Sequence, residues 1–128
     1  MLYRTIEIDE LIEDKDTEQQ MIDLMENNNS HLKLVALKKH AQIPTHISQS
    51  DVCIFVTEGK IEIKFLSESN CDCSPCDCDI QDKDNDSSKK YVVKKEQFFL
   101  FEKNVLHSIK ALKDSTFLLI KIWTKRIA

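Results

Sequence analysis

Residues 42–66, QIPTHISQSDVCIFVTEGKIEIKFL, decide the fold. They hold a proline-led turn at Pro44, a histidine at His46, an apolar run over 51–58, the only glycine of the chain at Gly59, and a second run, IEIKFL. In DVCIFVTE, Val52, Ile54 and Val56 occupy one parity and Cys53 the other, the period-two pattern of a strand with two distinct faces. Glu58-Gly59-Lys60 predicts a tight, hairpin-like turn into the second strand.

Working outward, the downstream runs YVVKK, QFFLF, VLHSIKAL and STFLLIKIW are short and strand-like, separated by charged turns such as Glu102-Lys103-Asn104 and Lys113-Asp114. Upstream, HLKLVALKK alternates loosely, with Leu32, Leu34 and Ala36 on one face. Residues 2–8 are β-prone and predict a short first strand, whereas TEQQMIDLMEN predicts a helix capped by Asp16 or Thr17 and ended by Asn27 to Asn29. On that helix Met21, Ile22, Leu24 and Met25 share a face. Strands that follow one another without intervening helices imply an antiparallel sandwich or barrel, because parallel pairing needs crossover helices. The expected organisation is one domain: a lead-in over 1–30 with the short helix, the β body over 31–125, and a long inserted loop over 67–90.

The 128 residues carry 22 acids and 18 bases. Seven acids and three lysines lie within 67–90, so the remaining 15 acids and 15 bases cancel and the net charge of −4 sits in that loop. No concentrated basic face is evident, which speaks against a nucleic-acid partner. MLYRTIEIDELIED has no basic region leading into an apolar run, and no apolar run nears the ~18 residues of a membrane span. The expectation is a cytoplasmic protein with no membrane partner, whose five cysteines are mostly reduced.

Four of those cysteines, Cys71, Cys73, Cys76 and Cys78, form two Cys-x-Cys pairs around Ser74-Pro75. Cys-x-Cys places two sulfurs on one side of an extended segment, and the Ser-Pro turn can fold the pairs together. Soft-metal binding, redox-active thiols and an incidental acidic loop are the three readings of this segment. Cys53 stands apart as a structural thiol of its strand. Trp123, Phe117, Phe98, Phe99 and Phe101 are expected in the core or at a dimer contact.

The runs from Leu37 to Leu66 and from Tyr91 to Ile122 resemble the small single-domain cupins of the RmlC-like superfamily. Ile43-Pro44-Thr45-His46 resembles the approach to the first histidine of their first motif, and Phe55-Val56-Thr57-Glu58-Gly59-Lys60 its closing strand and turn. Phe101-Glu102-Lys103-Asn104-Val105-Leu106-His107 keeps the histidine of the second motif. The resemblance implies an all-β, antiparallel jelly-roll β-barrel whose pocket faces His46 and His107, with Val52, Ile54 and Val56 inward. It also implies a homodimer. The departures are as specific as the matches. Ser48 stands where the family has a second histidine and Val52 where it has a glutamate, while Glu96 and Asn104 replace second-motif glycines and Glu102 a proline. His40 falls on a turn glycine and is expected exposed, and His31 is expected at the surface.

Two imidazoles alone are too few for tight metal binding, so Asp51, Gln49, Ser48 or water would complete a shell for Zn, Cu, Fe or Ni. Three functions follow. The first is a small cupin binding a metal ion or small ligand, with the cysteine loop as a soft-metal or redox-sensing site. The second is a metalloenzyme, an oxygenase or isomerase, using His46 and His107. The third is a metal-free small-molecule binding module.

Overall fold

In the computed structural model, which describes residues 5–12, 17–66 and 89–123, the alternation of residues 51–58 becomes strand β4, Asp51–Glu58, with Val52, Ile54 and Val56 buried. Gly59 then turns the chain at φ +88° into β5, Lys60–Phe65, where Ile61 and Ile63 are fully buried. A side chain at Gly59 would collide with the Asp114 carbonyl and Ser115, so the turn packs directly on the loop that precedes the last strand. The Ser115 hydroxyl locks that contact: it accepts from the Lys60 amide at 2.9 Å and shares its proton between the carbonyls of Lys60 (3.0 Å) and Lys113 (2.7 Å).

The remaining strands are β1 (Gln19–Glu26), β2 (Ser30–Leu37), β3 (Gln42–Ile47), β6 (Lys89–Lys94), β7 (Phe98–Phe101), β8 (Leu106–Ala111) and β9 (Ser115–Ile122). They form two sheets, one ordered β1-β2-β9-β4-β7 and one β3-β8-β5-β6, with every pair antiparallel. The core is the space between them. Val35, Phe117, Ile54 and Val56 from the first sheet meet Ile61, Ile63, Ile109 and Ala111 from the second. Burying each of these larger side chains contributes about 1.5–3 kcal/mol.

The expected barrel does not form. Each sheet remains open among the described residues, ending on β1 and β7 or on β3 and β6. These edges are poor partners for closure: β7 is only four residues long, and β3 carries Pro44, which has no amide to donate.

The short helix is also displaced. The segment expected to be helical, residues 17–27, contains β1 instead, and the only helical turn described is α1, Ile8–Leu11, which begins at the last residue of the stretch expected to be the first strand. Tertiary pairing overrode a helix-compatible spacing. Ile22 stands opposite Leu34, which is fully buried, while Met21 and Met25 are 42% and 62% exposed rather than on a common packed face. A bulge between Asp23 and Met25 breaks the alternation of β1, hiding its strand character from a periodicity count. The inserted loop, including Cys71, Cys73, Cys76 and Cys78, falls almost wholly outside the described residues.

Candidate ligand site

His46 and His107 come together because of an irregularity in β3. Ile43 pairs with Ile109 and His46 with His107, so three steps along β3 match two along β8. The extra residue is a bulge at Pro44-Thr45, on an edge strand where a missing amide breaks no ladder bond. It turns His46 onto the same face as Ile43 and His107. Without it, Thr45 would oppose His107.

The two imidazoles then lie with ring centroids 4.3 Å apart. Each is held by the same local device: His46 Nδ1–H donates to the Pro44 carbonyl at 2.9 Å, and His107 Nδ1–H to the Val105 carbonyl at 2.9 Å. With Nδ1 committed as donor, Nε2 of each neutral ring carries the lone pair. His107 is 3% exposed, while His46 is half-buried. The Phe101 ring stands 4.7 Å from His107 and the Phe65 ring 6.2 Å. Burial pushes the His107 pKa below the usual histidine value, the hydrogen bond to Val105 works against that shift, and the charges of His46 and Lys121 add to it.

Register shows what faces this pair. Directly opposed residues share a sheet face, and Phe101, Val52, Lys121 and His31 form one such row across β7, β4, β9 and β2. Val52 is in the core, so the whole row points between the sheets. Phe65, His107 and His46 form the corresponding row across β5, β8 and β3. The Phe65–Phe101 ring contact, 5.1 Å between centroids, brings the two rows together at one end of the sandwich. That end is aromatic and aliphatic on one side, and carries two imidazoles and an ammonium on the other.

The other residues expected at a metal do not converge there. Val52 is a core residue, 4% exposed. The Ser48 hydroxyl is buried and already paired with the Ser50 hydroxyl at 2.8 Å and the Ser50 amide at 3.2 Å. Asp51 points to the opposite face from Val52 and accepts from the Lys103 amide at 3.0 Å, and Gln49 is exposed in the β3–β4 corner. Among the described residues no group of three or more His, Cys, Asp or Glu side chains is placed to hold a metal ion. His46 and His107 therefore meet without the further side chains that were expected to complete a metal shell.

His40 is exposed, and its φ of 78° meets the turn-glycine expectation. His31 is not a surface residue. Its side chain is only 13% exposed and its Nε2 lies 2.9 Å from Asp23 Oδ1. Lys121 was missed altogether. Its signal was the parity of Phe117, Leu119 and Lys121 along β9, where an inward lysine continues an otherwise apolar face.

No family model matches the chain, and no curated protein matches it significantly. Solved structures do match. A protein of unknown function from Streptococcus pyogenes, SPY1581, superposes with a TM-score of 0.71 at 14% identity, covering 98% of this chain and 92% of its own. A cupin superfamily protein from Desulfitobacterium hafniense gives 0.71 at 14% identity, covering 97% and 94%. KdgF from Halomonas gives 0.60 at 14% identity, covering 84% and 82%. The fold is that of the cupin, or RmlC-like, proteins, built here as two open sheets.

Proposed function

We propose that the protein is a metal-free binding module for a small organic molecule, held between the sheets at the end where His46 and His107 meet. The observation that supports it best is the pair itself. Two imidazoles in contact, each oriented by its own carbonyl, are backed by Phe65 and Phe101 and face Lys121. Buried polar groups beside aromatic walls are the usual makings of a ligand pocket. Where a metal-using relative would need further ligands, this chain has a core valine and a serine already bonded within its own corner.

A panel of small organic molecules screened against the histidine ring NMR signals tests this. Ligands should shift His46 and His107 together and leave the exposed His40 unchanged, and elemental analysis of untagged protein should find no metal that His46→Ala removes. Stoichiometric metal lost in His46→Ala overturns the reading.

We further propose that the protein is a homodimer, joined through the outer face of the five-stranded sheet. Phe98 and Leu100 are 62% and 69% exposed, and register continues them through Phe55 and Cys53 to Leu118 and Ile120. An uncharged apolar surface of this kind is complementary to itself about a twofold axis.

A further inference from the structure

Lys121 is on the inner face of β9, opposite the buried Val52, yet it belongs to no ion pair described in the structure. The ion pairs among the described residues are His31–Asp23 and Lys95–Glu58. Burial and the nearby Lys33 ammonium push the Lys121 pKa below the usual lysine value. An ammonium partly removed from water, with a second ammonium near it, is destabilised unless an anion compensates it.

The carboxylates nearest by register do not provide that anion. Asp23, opposite Lys33, is bonded to His31 and its side chain is 67% exposed. Glu26, opposite His31 at the far end of the row, is exposed. The inward groups at this end are therefore Lys121, Lys33, His31, His46 and His107, next to the rings of Phe65 and Phe101.

We propose that the ligand of this site is a small carboxylate with an apolar body, its charge held by Lys121 and its body packed against Phe65 and Phe101. This rests on the binding-site reading above and adds the ligand's chemical class. Lys121 supplies the charge at neutral pH. Protonation of His107 adds an Nε2–H donor, and a bound carboxylate favours that form. An ammonium and an aromatic wall side by side select an acid over its neutral amide, because the amide leaves the ammonium unpaired.

Benzoate and benzamide share a ring and differ in charge, and acetate serves as a smaller acid. Titrated at constant ionic strength, benzoate should shift the His46 and His107 ring signals saturably, at concentrations at least tenfold lower than benzamide. Lys121→Met should weaken benzoate at least tenfold without affecting benzamide, and Lys121→Arg should restore most of the loss. Equal binding of benzoate and benzamide, or benzoate binding unchanged in Lys121→Met, overturns the carboxylate inference and leaves the pocket reading standing. Failure of benzoate, acetate and benzamide alike to move either ring overturns both.

Discussion

His107 is the residue on which the site's response to pH turns. Its pKa is depressed in the folded chain, chiefly by burial, so between that value and the unfolded one, about 6.5, the unfolded chain binds the extra proton. Its contribution to stability is complete above about pH 6.5 and is lost as the pH falls toward the folded value. The charged and titratable groups facing it are His46 on β3 and Lys121 on β9, and both disfavour its protonation. Thermal unfolding of His107→Phe should therefore show a shallower loss of Tm between pH 7 and pH 5 than the wild type. An identical slope would remove His107 from this account. At the same scale, Glu96 and Asn104 illustrate how far the sequence could be read. Both stand where the resemblance to the cupins places a motif glycine, and both adopt the left-handed backbone that glycine favours, with φ of 68°.

Among the elements, the turn between β4 and β5 couples the two sheets: the two strands do not pair as a hairpin but lie in different sheets, and the turn rests on the residues leading into β9. Gly59 has both a positive φ and no room for a Cβ against Asp114 and Ser115. Gly59→Ala should cost about 2–4 kcal/mol, from left-handed strain plus the displacement of backbone it would strike. Urea unfolding measures this, and a loss within error of zero would mean the turn can open without penalty. The strands from β2 onward were legible from alternation and turn residues, except β3, whose residues were read as a proline-led turn. β1 was not legible, because a bulge disrupts its period. The bulge in β3 was equally hidden, although it decides which residue of that strand meets His107.

At the scale of the whole molecule, the two outer faces differ in character. The outside of the second sheet carries Lys60, Lys64, Lys90, Lys94 and Lys110 with Glu62, whereas the outside of the first carries Phe98, Leu100 and the apolar side chains in register with them. In the proposed dimer, burying the apolar face would supply the driving force for association, with the lysine-rich face left in water. Light scattering should give a dimeric mass at micromolar concentration, and Phe98→Lys with Leu100→Lys should shift it to the monomer while the circular dichroism is retained. A monomeric wild type would refute the proposed interface.

By itself the sequence determined an antiparallel β fold, since period-two alternation and the Gly59 turn are local features with few structural solutions, and its motifs carried the resemblance to the cupins. It also singled out His46 and His107, and the departures at Ser48 and Val52. Whether the sheets close depended on the pairing of edges far apart in the chain, and the tertiary structure leaves them open. The tertiary structure alone aligned the row of Phe101, Val52 and Lys121 with that of Phe65, His107 and His46. Register across strands and packing across sheets are non-local, so no reading of neighbours along the chain could place an ammonium beside the two imidazoles.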